Sequence, residues 1–404
     1  MNDFAMNHHP TTTVSLIRCP AYEEEKLSAA IREAIVLLGG TGQFIKPRQN
    51  VLVKVNHLSP PSPAERGIVT HPAFVEQVLL ILKESGARIR VGDDLGPASA
   101  AGDGFSISGL RQVCERLGVE LVNFCQEGFR QVAIPQGRVL KETHLARAVM
   151  EADVVVNLPK FKTHSLAVFT GGVKNIYGCL PHGLRVGYHA RFREEAQFNG
   201  LLADLFSVVR PGLTIMDAVV GMEGDGPANG DSRKIGLVLA SSDAVALDRV
   251  ALAVAGIDPD QVVYLNDAGQ RGLGVYQLDS IRILGERLSD VHIPDFKTSR
   301  VSLGIIRKRV PDFLFHAICR QLGSRPRVIP AACQGCGACE KVCPAGAITV
   351  ASGLARISSQ QCIACMCCHE ACRFGAIHLH RKLSGRLIYA GLHRMRQLRR
   401  RMSA

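Results

Sequence analysis

Two cysteine runs near the C-terminus constrain this chain more than any other feature. "CQGCGACEKVCP" begins at Cys333 and "CIACMCCHEACR" at Cys362, and the first pattern recurs 29 residues later in the second. Cys333, Cys336, Cys339 and Cys343 map onto Cys362, Cys365, Cys368 and Cys372, while Gly346 and Ile348 map onto Gly375 and Ile377. A module of about fifty residues buries too little apolar surface to be stable on a core alone. What the thiolates bind must hold it together. The opening "MNDFAMNHHPTTTVSLIRCP" lacks the apolar stretch of an export signal, and no run in the sequence is long enough to span a bilayer. The expected compartment is the cytoplasm, where dense cysteine signals metal or redox chemistry rather than disulfides.

Each run reads C-x2-C-x2-C-x3-C and resembles the bacterial two-cluster ferredoxins. Three thiolates two residues apart wrap one cube, and the fourth reaches the other. The crossover predicts two [4Fe–4S] clusters. The first falls on Cys333, Cys336, Cys339 and Cys372, the second on Cys362, Cys365, Cys368 and Cys343. Structural zinc favours C-x2-C pairs separated by a longer span. Cys365, Cys368 and His369 spell a haem-attachment pattern, but inside a complete cluster run and in a chain without an export signal. The repeats also differ. Pro344 follows Cys343, whereas Arg373 follows Cys372, where its positive charge favours the reduced cluster. The surplus Cys367 is expected to be a packed or partly exposed thiol, and the two clusters to differ in potential.

Charge is unevenly spread. From residue 301 onward, 17 Lys and Arg face three acids, a net of +14. The whole chain carries +12, so residues 1–300 carry −2. The basic character therefore belongs to the last quarter, which removes most of the case for nucleic-acid binding by the larger part. Four segments follow: 1–300, a basic linker 301–330, the cluster module 331–380 and a basic tail 381–404.

Residues 1–300 alternate strands with helices. "NVLVKV" (50–55), "ARIRVG" (87–92), "VELVNF" (119–124), "DVVVNL" (153–158), "LTIMDA" (213–218) and "IGLVLA" (235–240) read as buried strands. "HPAFVEQVLLILKESG" and "DAVALDRVALAVAG" read as helices, the second capped by Asp243. The class is α/β, a mostly parallel sheet flanked by helices and followed by an α+β ferredoxin-type domain. "GGTG" (39–42) reads as a helix cap, since no nucleotide-loop pattern surrounds it. Cys19, Cys114, Cys125 and Cys319 are expected in the core. Cys179 stands nearer the candidate site but also reads as packed.

Ligands of such sheets bind at the carboxyl ends of strands, and polar residues collect there. "HLSPP" follows the first strand, Asp93-Asp94 the second, and "PKFKTH" the fourth. One segment supplies Lys160, Lys162, His164, Gly171, Gly172, Lys174, Asn175, His189 and Arg191. Paired glycines leading into a helix, with lysines nearby, can cradle an anion through free N–H groups and side-chain charge. Lys160, Lys162, Gly171, Gly172 and Asn175 are the expected binding residues. His164, His189 and Lys174 are the expected catalytic ones, and the set is expected to form one pocket beside Asp217 and Glu223.

The strings "VLVKVN", "THP", "GDD", "LPKFKTH", "TGGVKNIYG", "YHARF", "MDAVVGMEGDGP" and "SSDAVALD" together resemble the family called domain of unknown function 362. The resemblance covers nearly the whole chain, and many members carry a C-terminal two-cluster ferredoxin. It implies no settled activity. The family's usual Lys-Pro-Asn stands here as Lys54-Val55-Asn56. A stretch of some twenty residues, "GGVKN" with a later histidine, is similar to the nickel-pincer lactate racemases.

Residues 301–330 read as a linker with an amphipathic helix. The tail from Arg381 has eight Lys and Arg, no acid, and apolar residues at helical spacing. Such a helix suits an anionic membrane surface or an acidic redox partner, or packs on the protein itself. Without interleaved aromatics it is a poor nucleic-acid binder. Two functions remain open. One is an oxidoreductase passing electrons between the clusters and an anionic substrate or further cofactor on the α/β domain. The other is a carrier or adaptor that docks to a redox partner or membrane without chemistry of its own.

Overall fold

The computed structural model describes residues 12–58, 63–95, 104–192, 195–298, 325–372 and 374–380. Cys319, Arg373, most of the expected linker and the tail lie outside them. The chain divides into two compact units, Met1–Ser299 and Arg300–Ala404. Among the described residues, no helix is long and apolar enough to cross a membrane.

The first unit contributes β1 (Thr12–Arg18), β2 (Asn50–Val55), β3 (Arg88–Asp93), β4 (Glu120–Asn123), β5 (Phe129–Ala133), β6 (Glu142–Ala146), β7 (Val154–Leu158), β8 (Lys160–His164), β9 (Val168–Thr170), β10 (Leu213–Glu223), β11 (Asp231–Ser241) and β12 (Ile281–Gly285). The main sheet runs β12-β1-β11-β10-β7-β2-β3-β4, with β5 and β6 forming a separate hairpin. From β10 through β7, β2 and β3 to β4 all pairings are parallel, and β11 is antiparallel to both its neighbours. The sheet is mostly parallel, as the continuous apolar strands imply.

Strand alternation divides its two faces. Val51, Val53 and Val55 enter one core with Leu27 and Ile31 of helix Glu24–Val36 and Phe74 and Val78 of helix Pro72–Lys83. Leu52 and Val155 enter the other, with Leu202 of helix Glu195–Val208 and Leu247 of helix Ala244–Val254. Full burial of each such side chain is worth about 1.5–3 kcal/mol. Asp243 caps its helix as expected, its Oδ1 accepting the Val245 and Ala246 N–H groups. "GGTG" also behaves as expected: the Gly40 N–H bonds the Ile35 carbonyl beyond the end of helix Glu24–Val36.

Three expectations change. "KFKTH" is not a loop but strand β8, pairing with β10 and β9. β10 is eleven residues long and its described pairs with β7 end at Thr214. The backbone groups further along it need a partner, and β8 supplies one. For the same reason the strand read as "LTIMDA" (213–218) continues to Glu223 in β10. Cys125 is only half-buried, whereas Cys19 and Cys114 are core residues.

In the second unit, β13 (Arg325–Val328) pairs with β16 (Ile377–His380), and β14 (Ile348–Ala351) with β15 (Leu354–Ile357), both antiparallel. The 29-residue shift carries one ladder onto the other: Arg325↔His380 becomes Leu354↔Ala351. Residues 325–330 therefore belong to this unit and not to a linker. The repeat also explains two backbone oddities. Gly335 and Gly337 have φ of 60° and 74°, and their equivalents Ala364 and Met366 keep φ of 55° and 65°. Left-handed backbone costs such residues about 1–2 kcal/mol each.

Candidate functional site

The cysteine runs form two recesses. One is lined by Cys333, Cys336, Cys339 and Cys372. The other is lined by Cys343, Cys362, Cys365 and Cys368. These are the crossed quartets that the spacing implies. Among the described residues, no three His, Cys, Asp or Glu side chains converge tightly enough to hold a single ion. A cavity ringed by four sulfurs suits a multi-iron cube better than one zinc. The Ala347 N–H donates to Cys343 Sγ and the Ala376 N–H to Cys372 Sγ, each at 3.2 Å and at equivalent repeat positions. Such bonds stabilise thiolate ligands. Cys367 lines neither recess; it is buried and its thiol reaches the Cys365 carbonyl. His369 is also buried, with Nδ1 2.7 Å from the Ile377 carbonyl, so that nitrogen carries the proton and ties the ring to β16.

In the first unit the expected lysines separate. The Lys160 Nζ donates to Asp217 Oδ2 and to the Tyr22 hydroxyl, both at 2.7 Å. Tyr22 in turn donates to Asp217 Oδ1 at 2.9 Å, and the His71 and Val219 N–H groups complete the carboxylate's shell. The His71 ring stacks on Tyr22 at 3.7 Å. Burial pushes Lys160 down, and burial with the nearby Asp217 charge pushes Tyr22 far up. This network is saturated. It fastens β8, β10 and the segment before helix Glu24–Val36 on one face of the sheet, so Lys160 is a structural cation and not a ligand group.

A second group surrounds the carboxyl ends of β2 and β3. The Lys54 Nζ lies 2.9 Å from Asp93 Oδ2, and both side chains are buried. Asp93 also accepts the His57 and Asp94 N–H groups, at 2.7 and 2.8 Å. Burial pushes its carboxyl up against the pull of Lys54. Arg185, on helix His182–Arg191, reaches Asp94 Oδ2 through Nη2 at 2.7 Å. Cys179 is packed beside these charges, its thiol pushed up to about 12 by burial. An amide ladder joins this group to the expected residues. Lys162 donates to Asn56 Oδ1, Asn56 to Asn175 Oδ1, Asn175 to Asn157 Oδ1, and Asn157 to the Gly172 carbonyl, all between 2.7 and 2.9 Å. Lys174 is buried with its ammonium 5.5 Å from the Tyr177 ring centre.

Unlike the Lys160 network, this region leaves buried polar atoms unsatisfied: Nδ1 of His57, His182 and His189, and Nε of Arg185. Native interiors rarely leave such atoms unpaired, and a ligand or bound water is one reason they do. His57 is pushed down to about 3 by burial, then by Lys54 and Lys162. The Leu58 backbone pulls the other way, but Nδ1 has no partner at bonding geometry. His189 is pushed down to about 3 by burial, then by Lys174 and Arg185. Both rings are neutral at physiological pH. His57 Nε2 lies 2.9 Å from Ser108 Oγ, which also lies 3.1 Å from the Phe105 carbonyl.

The glycine pair needs correction. The Gly172 and Val173 N–H groups are not free to cradle an anion, because they donate to Asp248 Oδ1 and Oδ2 at 2.6 and 3.0 Å. A Cβ on Gly171 would lie 2.0 Å from Asp248 Oδ1, which is why glycine stands there. Burial raises Asp248 to about 7. The pair thus seats Lys174 and Asn175 rather than touching a ligand. His164 turns inward too, its Nδ1 accepting the Leu166 and Ala167 N–H groups. Glu223 joins Arg233 and Lys297 rather than the lysines of β8. Sequence reading noted the polar residues after β2 and β3 but left Lys54, His57, Asp93 and Arg185 out of the site. A lysine inside "NVLVKV" looks like an edge residue until its buried partner is known.

Residues 51–253 match the family model described as Domain of unknown function (DUF362), and residues 326–349 match the 4Fe-4S binding domain. The second unit is therefore a 4Fe–4S cluster-binding module. A protein of Synechocystis sp. described as thylakoid-associated is 34% identical over 264 residues, covering 65% of this chain and 80% of that protein. Among solved structures, the lactate racemase apoprotein of Thermoanaerobacterium thermosaccharolyticum aligns with a TM-score of 0.37 at 12% identity, over 59% of this chain and 55% of that one. A Thermotoga maritima protein aligns at 0.32 and 14%, over 51% and 52%. The chain spans about half the length of these two structures, and at such scores no argument rests on them.

Proposed function

From the premise that this chain belongs to the DUF362 family, whose name assigns no reaction, we propose an iron–sulfur oxidoreductase. It passes electrons between two [4Fe–4S] clusters and an anionic substrate or cofactor on the α/β unit. The observation that carries this reading is the pair of recesses, each lined by one crossed cysteine quartet. Bound clusters supply one-electron chemistry; the chain supplies the rest. Lys174 and the Nε–H of Arg185 hold an oxyanion, arginine being suited to carboxylate or phosphate. His57 and His189, neutral at working pH, offer their Nδ1 atoms as hydrogen-bonding groups to that ligand.

Anaerobic iron and acid-labile sulfide analysis of the full chain should find about eight of each, two four-iron cubes. About four of each would leave a single cluster. For the anion site, inorganic phosphate and malonate serve as probes in thermal unfolding. At least one should raise the midpoint of the wild type, and Arg185→Lys, which keeps a charge near Asp94 but removes Nε–H, should reduce that shift. If neither probe moves the wild type, the anionic ligand is wrong.

A second reading, a carrier at a membrane surface, draws support from the thylakoid-associated relative and from the basic tail, which lies outside the described residues. Full-length protein should then sediment with anionic vesicles at low salt, and deletion of 381–404 should abolish this. No sedimentation of the full chain would rule the reading out.

A further inference from the structure

The two recesses differ at one position of the repeat. Gly337 lines the first, and a side chain added there would meet nothing within 4 Å. Its equivalent, Met366, lines the second and is 3% exposed. Met366 holds the same left-handed backbone that glycine adopts without strain. A strained position that keeps a large side chain points to a task for that side chain. Cys336 of the first quartet is exposed while its Cys339 and Cys372 are buried, and in the second Cys343, Cys362 and Cys365 are half-buried and Cys368 is buried. Phe374, 39% exposed, also lines the first recess.

We propose that Met366 shields the second cluster from solvent, leaving the first as the higher-potential cluster and the one that trades electrons with external carriers. The inference rests on the two-cluster reading above. Reduction adds one negative charge to a cluster. Water stabilises that charge, and a dry apolar recess does not, so the exposed cluster accepts an electron more readily. In sequence, Arg373 follows a first-cluster ligand and biases the pair in the same direction. Exchange with an external one-electron oxidant such as hexaammineruthenium(III) is outer-sphere. One electron leaves the reduced cluster, ruthenium(II) forms, and no bond is made or broken.

The competing account is packing alone, in which Met366 fills apolar space and leaves the potentials unaffected. Full-length protein loaded with both clusters separates the two. Midpoint potentials are read by EPR, and solvent access by deuterium coupling in heavy water. Met366→Gly should raise the lower potential, add deuterium coupling to that cluster and leave the higher potential in place. Met366→Leu should keep wild-type values. Gly337→Met should lower the higher potential and slow reoxidation by the ruthenium reagent. If Met366→Gly does not retain both clusters, Met366→Ala takes its place with the same expectation. A lower potential that stays put in the glycine or alanine variant, with both clusters present, overturns the proposal. So does a leucine variant that behaves like the glycine one. An iron count near four would instead overturn the two-cluster reading on which it rests.

Discussion

Replacing Asp217 by asparagine should destabilise the first unit strongly, because of what the carboxylate holds. Asp217 is fully buried and accepts from Lys160 Nζ and the His71 N–H on one oxygen, and from Tyr22 and the Val219 N–H on the other. Asparagine keeps one acceptor, turns an NH2 toward two donors and leaves the Lys160 ammonium without its counter-charge. Breaking a buried ion pair from one side costs about 3–5 kcal/mol. Near 2 °C per kcal/mol for a unit of this size, the midpoint should fall by about 6–10 °C. Adding Lys160→Met removes the stranded charge and should recover part of the loss. Recovery stays partial, since the His71 and Val219 N–H groups still lack full acceptors, at about 1–3 kcal/mol for a buried group left unmade. Thermal unfolding followed by far-UV circular dichroism reads the shift, and cluster absorbance reports separately on the second unit. A fall below about 2 °C, the equivalent of 1 kcal/mol, would show that the pair is not structural. Loss of phosphate binding without loss of stability would return Lys160 to the ligand site.

Acid should weaken the fold through His189. Its folded pKa of about 3 lies below the unfolded 6.5, so the unfolded chain takes up protons first and stability is lost as pH falls from 6.5 toward 3. Between pH 8 and 5 this costs roughly 2 kcal/mol, and Asp248, raised to about 7, pushes the opposite way. The gap in unfolding free energy between wild type and His189→Gln should therefore change by that amount below pH 6.5, and a constant gap would refute it. Gly171→Ala should lower the unfolding midpoint through the 2.0 Å clash with Asp248 Oδ1, with overpacking costing about 1–3 kcal/mol; an unchanged midpoint would mean that the contact is not made. Ala364→Gly relieves left-handed backbone at φ 55° but frees the unfolded chain. The net gain should be about 0.5–1 kcal/mol, read from the urea midpoint of the loaded protein.

The cysteine spacing alone determined the second unit. Ligand order in a ferredoxin-type repeat is local, and the crossover is the one long-range fact required. The quartets around the two recesses are those read from "CQGCGACEKVCP" and "CIACMCCHEACR". In the first unit the apolar periodicity of β2, β7 and helix Pro72–Lys83 was legible because it is written in consecutive residues, whereas β1, β5, β6, β8, β9 and β12 were not read as strands. The site was not legible. Which lysine meets a carboxylate depends on residues far apart in sequence: Lys160 with Asp217, Lys54 with Asp93, and the Gly172 N–H with Asp248. Lys160 and Lys162 share a strand, yet one is neutralised in a saturated network and the other joins the amide ladder. Burial then decides the chemistry, since a histidine or carboxyl takes its charge state from the solvent it has lost and the charges beside it. Sequence supplies the groups; only the tertiary structure fixes their neighbours, and with them which groups are already satisfied and which are left to bind.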